Sequence, residues 1–561
     1  MPDVMPVVDA RNLHDPEEIP APSVDRQPEI HLMSNAAPPL VTQPLDDVAA
    51  RLSAAKPYVA AGIVLWFALS VSPTWLPTPD SALYLMLGRS LAVGQGYTLD
   101  SQPHAYVPPG FPLLLAAFER AGLGTMWCLN LIMGVIGLLS VWVSYKLVAE
   151  LASRPVAVLV ACLLGCNSLL HAMSALQLSD MPFTLLVLTG LYCFLRGLRG
   201  QRWAFEWGTL AILASCWVRV AGVALAVACA VGLLLQPRST SGLRVVANAA
   251  ALLAGVVATL GLFYGQYQHS LSAEHSLPPA SYMAAVQALT STPVGSLLVR
   301  ALKNAWESAA EMPRFLFGLG GHPLGVLAVV MIPGLVGVWR RLVRREFLIV
   351  LAVAGYAAGI VLNLPAGDRY LLPVAPLLVL YYLEGLSVVL DWHPRLRQWS
   401  FQALFVLIVA FVAFNGIKGV QLWYKNHHQI AAEQAALADS AECLRSQALA
   451  GERMLSFDAE PELSYLSQIP YLQLDRCALT AMMSRDQYLH FLYDKSVRLV
   501  VMIPGKVSRL SDQSLLQEAV HDRDLFQPIA DNGRFQIYRY LAPPRVATAE
   551  SSGQPDHQLL R

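Results

Sequence analysis

Pro79-Asp80-Ser81-Ala82-Leu83-Tyr84, Gly94-Gln95-Gly96-Tyr97 and Pro108-Pro109-Gly110-Phe111-Pro112-Leu113-Leu114-Leu115 punctuate one stretch, residues 79–115, set between apolar runs at 58–76 and 125–149. Each flanking run is long enough to cross a bilayer, which takes about 20 apolar residues as a helix. The stretch between them mixes a carboxylate, aromatics, glycine turns and a proline step. It therefore reads as an ordered loop at a membrane face rather than as a span.

Nine further apolar runs follow, at 155–171, 181–196, 203–218, 220–236, 244–264, 324–339, 347–363, 371–390 and 400–420, so eleven spans are expected. The fifth and sixth are parted only by Arg219. Composition agrees. Of 561 residues, 55% are hydrophobic and only 14% charged, against about 25% charged in soluble domains. With a mean hydropathy of +0.47, this excludes an ordinary cytosolic enzyme and a disordered or collagen-like chain.

The net charge of zero hides an asymmetry, because residues 1–50 carry nine acidic residues against Arg11 and Arg26. That segment also has nine prolines and no apolar run, and is expected to be a disordered tail; 546–561 reads as a second one. The first apolar run starts at Tyr58, too late for a cleavable signal peptide. Basic residues gather in alternate loops, such as Arg196, Arg199 and Arg202, and Arg340, Arg341, Arg344 and Arg345. The positive-inside rule then puts the N-terminus in the cytoplasm and everything after residue 420 outside. No global basic excess or motif points to nucleic acid.

Two outer loops are long, 77–124 and 265–323, and both carry helical patterns, the second through Leu297, Leu298, Ala301, Leu302 and Trp306. Such segments lie in the interface plane or pack on the bundle. Residues 51–420 are thus expected to form the membrane domain and 421–545 a small α/β domain. Within the latter, a helix at 429–449, strands at 453–457 and 497–503, helices at 461–466 and 484–493, and a hairpin over 525–541 are expected. Asp531-Asn532-Gly533 marks the hairpin turn. No G-x-G-x-x-G opens its helices, so no nucleotide is expected there. Six cysteines lie in apolar stretches as small core residues, whereas Cys443 and Cys477 fall in the polar part, where a disulfide or two free thiols both fit.

Ionisable residues at the rim of a bundle are functional candidates, because burying them is costly. The topology brings Asp80, Asp180, Arg219, Asp368-Arg369-Tyr370, His104 and Tyr106 to one face, the outer one. Each also has a plain reading: Asp80 and Asp180 as helix caps, Arg219 snorkelling, Arg369 as an interfacial anchor.

The segments quoted above resemble the first outer loop of the GT-C glycosyltransferases, in particular the family 39 branch with the protein O-mannosyltransferases and lipid A aminoarabinose transferases. Ser179-Asp180-Met181-Pro182-Phe183 and Asp368-Arg369-Tyr370-Leu371-Leu372-Pro373 are two further local matches. The resemblance spans roughly 58–420. It departs from the protein mannosyltransferases, whose adjacent acidic pair is here Asp80-Ser81, and the acidic set of the metal-dependent oligosaccharyltransferases is not recognisable. The resemblance implies a GT-C-like bundle with a C-terminal α/β domain, in the inner membrane. It implies an inverting enzyme that takes a sugar from a polyprenyl-phosphate donor to an unidentified extracytoplasmic acceptor. Asp80 is then the base, with Asp180 the second catalytic carboxylate. Arg369, Arg219 and Arg89 bind the donor phosphate, with Lys303 and Arg314 behind them, and Tyr84, His104, Tyr106 and Tyr370 line the sugar pocket. No cofactor is required by the motifs, and nothing in them specifies a metal. The competing class is a transporter or flippase of lipid-linked glycans, whose ionisable residues would sit mid-span and whose halves would repeat; no repeat is evident.

Overall fold

A computed structural model of the chain describes residues 43–99, 102–236, 242–272, 293–317, 324–363, 367–391, 394–424, 430–456, 460–471, 485–503 and 519–541. Residues 1–42 of the expected N-terminal tail, the C-terminal tail, Cys477 and most of the hairpin's approach lie outside them, whereas 43–50, expected to be disordered, are helical.

The chain opens with α1 (Gln43–Ala54) and α2 (Lys56–Ser70). The first outer loop then folds as α3 (Pro79–Ala92), a short antiparallel pair β1 (Thr98–Leu99) and β2 (Gln102–Pro103), and α4 (Gly110–Arg120). Helices α5 (Met126–Leu151), α6 (Arg154–Gly165), α7 (Ser168–Ser174), α8 (Asp180–Leu198), α9 (Ala204–Val218), α10 (Ala221–Leu235) and α11 (Gly242–Ser272) follow. After them come α12 (Val294–Phe317), α13 (Leu324–Val343), α14 (Phe347–Asn363), a 3-10 turn (Asp368–Val374), α15 (Ala375–Asp391) and α16 (Pro394–Tyr424).

Four stretches, Met126–Leu151, Asp180–Leu198, Gly242–His269 and Asp368–Asp391, are helical, long and apolar enough to cross a membrane, and five do so if α6 and α7 count as one bent span. The remaining expected spans fall on helices too, several of them shorter. The outward faces carry large apolar side chains, among them Trp142, Trp207 and Val257. Water would disfavour such a surface, and lipid accommodates it. The protein is a helical polytopic membrane protein.

One expected span is not a single rod. At 155–171 the helix bends by 62° between α6 and α7. Backbone groups freed by such a break need partners inside a membrane, and two asparagines supply them. Asn167 Oδ1 accepts from the Leu170 N–H at 3.0 Å and Asn167 Nδ2 donates to the Phe315 carbonyl at 3.1 Å. Asn415 Oδ1 accepts from both the N–H and the hydroxyl of Ser168 at 3.0 Å.

Helix α3 also resolves an open choice. Leu83, Tyr84, Leu85 and Leu87 are buried in the main core, so it packs on the bundle. By contrast α12 leaves Val294, Leu298, Val299, Leu302 and Trp306 exposed, the apolar stripe of an interface helix.

Beyond α16 lie α17 (Ile430–Gln447), β3 (Arg453–Ser456), α18 (Glu460–Ser467), α19 (Arg485–Asp494), β4 (Val497–Met502) and the hairpin β5 (Phe526–Asp531) and β6 (Gln536–Tyr540). The sheet order is β3-β4-β6-β5, with β3 and β4 parallel and the other pairs antiparallel. Strand β4 is buried on both faces, as a central strand should be. Leu499 and Val501 join the core shared with the helices, while Val497, Val500 and Met502 join a second core with Leu455, Tyr488 and Leu492. The main core therefore runs without a break from the bundle into this sheet.

Candidate active site

The four segments singled out in the sequence meet at one end of the bundle. Residues 79–84 begin α3, 108–112 begin α4, 179–183 begin α8, and 368–373 form the 3-10 turn.

Asp80 is freed from capping by its neighbours. Thr78 is the N-cap of α3: its hydroxyl accepts from the Ser81 N–H at 3.1 Å, and the Ser81 hydroxyl accepts from the Thr78 N–H at 3.1 Å. That reciprocal box satisfies the helix end. The Asp80 carboxylate projects instead to Arg369, whose Nη1 donates to its Oδ2 at 3.1 Å across 289 residues of chain. The pair is accessible, with side chains 51% and 33% exposed.

Asp180 begins α8 and is ion-paired with Arg219, at 4% and 15% side-chain exposure. Arg219 is placed by the break between α9 and α10, where its backbone turns extended. The two pairs are joined by Tyr370. Its ring lies 5.2 Å from the Arg219 guanidinium and 5.2 Å from that of Arg369. Its hydroxyl accepts from Arg369 Nη2 at 3.2 Å. Tyr356 holds this turn by donating its hydroxyl to the Tyr370 carbonyl at 2.9 Å. The site is thus a row: Asp80, Arg369, Tyr370, Arg219, Asp180.

Magnitudes separate the two pairs. An exposed ion pair contributes about 0–1 kcal/mol, so Asp80 and Arg369 can part at little cost. Breaking a buried pair costs about 3–5 kcal/mol because one charge is left uncompensated. Asp180 and Arg219 are therefore the rigid end of the row.

The other expected residues sit around it. Tyr84 shares a hydrogen bond with the Ser179 hydroxyl at 3.0 Å, tying α3 to the start of α8, and meets the Phe111 ring edge-on at 5.0 Å. The proline step places Gly110 against the end of α9: a Cβ there would sit 2.6 Å from the Trp217 carbonyl oxygen, two residues before Arg219. His104 is buried in its own loop. Its Nε2 accepts from the Val107 N–H at 3.4 Å, and its ring meets those of Tyr97 and Tyr106. Burial pushes this imidazole down to about 4, which makes it a neutral strut at neutral pH. Tyr106 is partly exposed beside it.

Arg89 lies nine residues past Asp80, about 13 Å along the helix. Its guanidinium stacks on the Tyr465 ring of α18 at 5.1 Å, so it serves the docking of the C-terminal segment. The same helix carries a carboxyl that nothing in the sequence singles out, Glu462. It is 6% exposed. Among the described residues no group of three or more His, Cys, Asp or Glu side chains is arranged to hold a metal ion.

No protein-family model matches the chain, and no curated protein matches it by sequence. Solved structures do match by fold. ArnT from Cupriavidus metallidurans in the apo state superposes with a TM-score of 0.53 at 15% identity, over 88% of this chain and 99% of that one. The same protein bound to undecaprenyl phosphate gives 0.53 at 14% identity, over 86% and 98%. The Archaeoglobus fulgidus oligosaccharyltransferase tethered with an acceptor peptide gives 0.51 at 13% identity, over 80% and 68%. At these identities the likeness establishes the fold alone, the helical fold shared with these structures.

Proposed function

We propose that this chain, with its GT-C fold, is an integral membrane glycosyltransferase that moves a sugar from a polyprenyl-phosphate carrier to an extracytoplasmic acceptor. The observation that carries this reading is the accessible Asp80–Arg369 pair, a carboxylate and a guanidinium side by side at the bundle rim. Inverting displacement at an anomeric carbon calls for that combination. Asp80 takes the acceptor hydroxyl proton as the new C–O bond forms. The bond from the anomeric carbon to the phosphate oxygen breaks, its electron pair stays with the phosphate, and Arg369 meets the developing charge. Asp180 and Arg219 hold Tyr370 and the start of α8 in register, so the phosphate is assigned to Arg369 ahead of Arg219 and Arg89. Tyr106 is the exposed aromatic group available to a sugar, with Tyr370 and Tyr84 buried. Undecaprenyl phosphate in the Cupriavidus structure supports a lipid-phosphate donor. On this reading eleven spans cross the inner membrane, the N-terminus is cytoplasmic, and residues 421–545 form an outer domain.

Membranes bearing the protein, incubated with radiolabelled polyprenyl-phosphate sugars, should pass label to lipid, polysaccharide or protein. Asp80→Asn should insert normally and lose about 10²–10⁴ in transfer. Wild-type transfer by that variant would overturn the base assignment, and movement of intact lipid-linked glycan without transfer would favour a flippase.

A further inference from the structure

Between α2 and α3 the chain runs outside any helix through residues 71–78, so its backbone carbonyls need partners within the bundle. Asn130, near the start of α5 and 1% exposed, supplies two of them. Its Nδ2 donates to the Ser72 carbonyl at 2.7 Å and to the Thr74 carbonyl at 2.9 Å. With both amide hydrogens committed there, its Oδ1 faces the other way and accepts from Nε2 of Gln177. Gln177 is fully buried, and its own Oε1 has no hydrogen-bond partner among the described residues. Satisfying two carbonyls accounts for Asn130. It does not account for Gln177, whose amide reaches a side-chain oxygen while leaving a buried acceptor unsatisfied, which is costly where an apolar residue would not be.

The same two segments are joined a second time. The Trp75 indole Nε1 donates to the Ser81 hydroxyl at 3.1 Å, and Tyr84, one turn further along α3, shares a hydrogen bond with Ser179 at 3.0 Å. Chain and hydrogen bonds thus close a ring: Asn130, residues 72–75, Ser81, Tyr84, Ser179, Gln177 and back to Asn130. The side chains of Asn130, Trp75, Ser81, Tyr84, Ser179 and Gln177 are all buried. Asp80 directly precedes Ser81 and Asp180 directly follows Ser179. Each carboxylate of the row is therefore anchored one residue from the ring, while its own side chain pairs with an arginine.

We propose that Asn130 and Gln177 are positioning residues for the transfer: they close this ring, and the ring fixes the start of α3 against the start of α8, and so Asp80 against Asp180. This rests on the reading of Asp80 as the base. Both amides are buried, so they act through the carboxylates rather than on a substrate. Opening the ring at Gln177 lets residues 72–81 shift relative to α8, and a misplacement of about 1 Å can lower a rate about 10²-fold.

The test is Gln177→Met, assayed in native membranes with radiolabelled undecaprenyl-phosphate hexoses and pentoses. Methionine keeps the length and burial of the side chain. It removes the unpartnered Oε1 and leaves Asn130 Oδ1 unpartnered instead, so the melting temperature should match the wild type. The kcat should fall by about tenfold to 10²-fold, with donor KM unchanged because the phosphate is assigned to Arg369. On an Asp80→Asn background the same substitution should lower the residual transfer no further, because the group it positions is gone; a merely structural role would lower both backgrounds alike. Wild-type kcat in Gln177→Met, a loss that tracks a lowered melting temperature, or an equal loss on the two backgrounds would overturn the proposal. Asp80→Asn alone separates the two ideas. Wild-type transfer by it removes the base reading and this one together, whereas its inactivity beside an unimpaired Gln177→Met removes this one only.

Discussion

At the residue scale, the two arginines of the row differ in what surrounds them, and their substitutions should differ accordingly. Arg369 is one-third exposed and its partner Asp80 half exposed. Arg369→Ala should leave the stability within about 1 kcal/mol of wild type while raising the KM for the lipid-phosphate donor. Arg219→Ala leaves Asp180 buried at 4% exposure without its counter-charge. It should destabilise by about 3–5 kcal/mol, read in thermal melts of the detergent-solubilised protein. Equal effects at the two positions would remove the distinction between a reactive pair and a rigid one. The sequence shows all four charged residues as rim candidates. It does not show who pairs with whom, because Asp80 and Arg369 are 289 residues apart and only packing brings them together.

At the element scale, the site depends on how closely helix ends approach. Gly110 opens α4 against the Trp217 carbonyl, where a Cβ would stand 2.6 Å away. Backbone cannot yield as a flexible side-chain tip can. Gly110→Ala should therefore cost about 1–3 kcal/mol and lower kcat by displacing Arg219, with helix content unchanged by circular dichroism. At another place in the bundle, Arg341 is fully buried and bonds Glu346 at 2.7 Å and Glu384 Oε2 at 2.8 Å, joining α13 to α15. Arg341→Ala should destabilise by about 3–5 kcal/mol yet keep the wild-type pH profile of transfer, since this cluster does not touch the row. The turn at Gly94 and Gly96 was legible beforehand: both take φ +84°, a conformation glycine adopts without strain. The bend between α6 and α7 was not, because its partners Phe315 and Asn415 are remote in sequence.

At the scale of the whole molecule, the C-terminal segment is part of the same core as the bundle, and one titration reports on that union. A carboxyl raised from 4.5 to about 7 on folding means that, between those values, the folded state binds more protons than the unfolded one. Stability contributed through Glu462 is then present at low pH and lost as pH rises through about 7. The wild-type melting temperature should fall by ~1–3 °C more than that of Glu462→Gln between pH 5 and 8; parallel curves would refute the linkage.

Apolar run length and turn residues are local properties, and from them the sequence alone determined a polytopic helical protein, the glycine turn, the hairpin and the segments that meet at one end of the bundle. The tertiary structure decided the pairings within the row, the packing of α3 on the bundle, the stacking of Arg89 on α18, and the burial of Glu462. Those depend on which distant surfaces bury one another, and burial is what raises the pKa of an otherwise ordinary carboxyl.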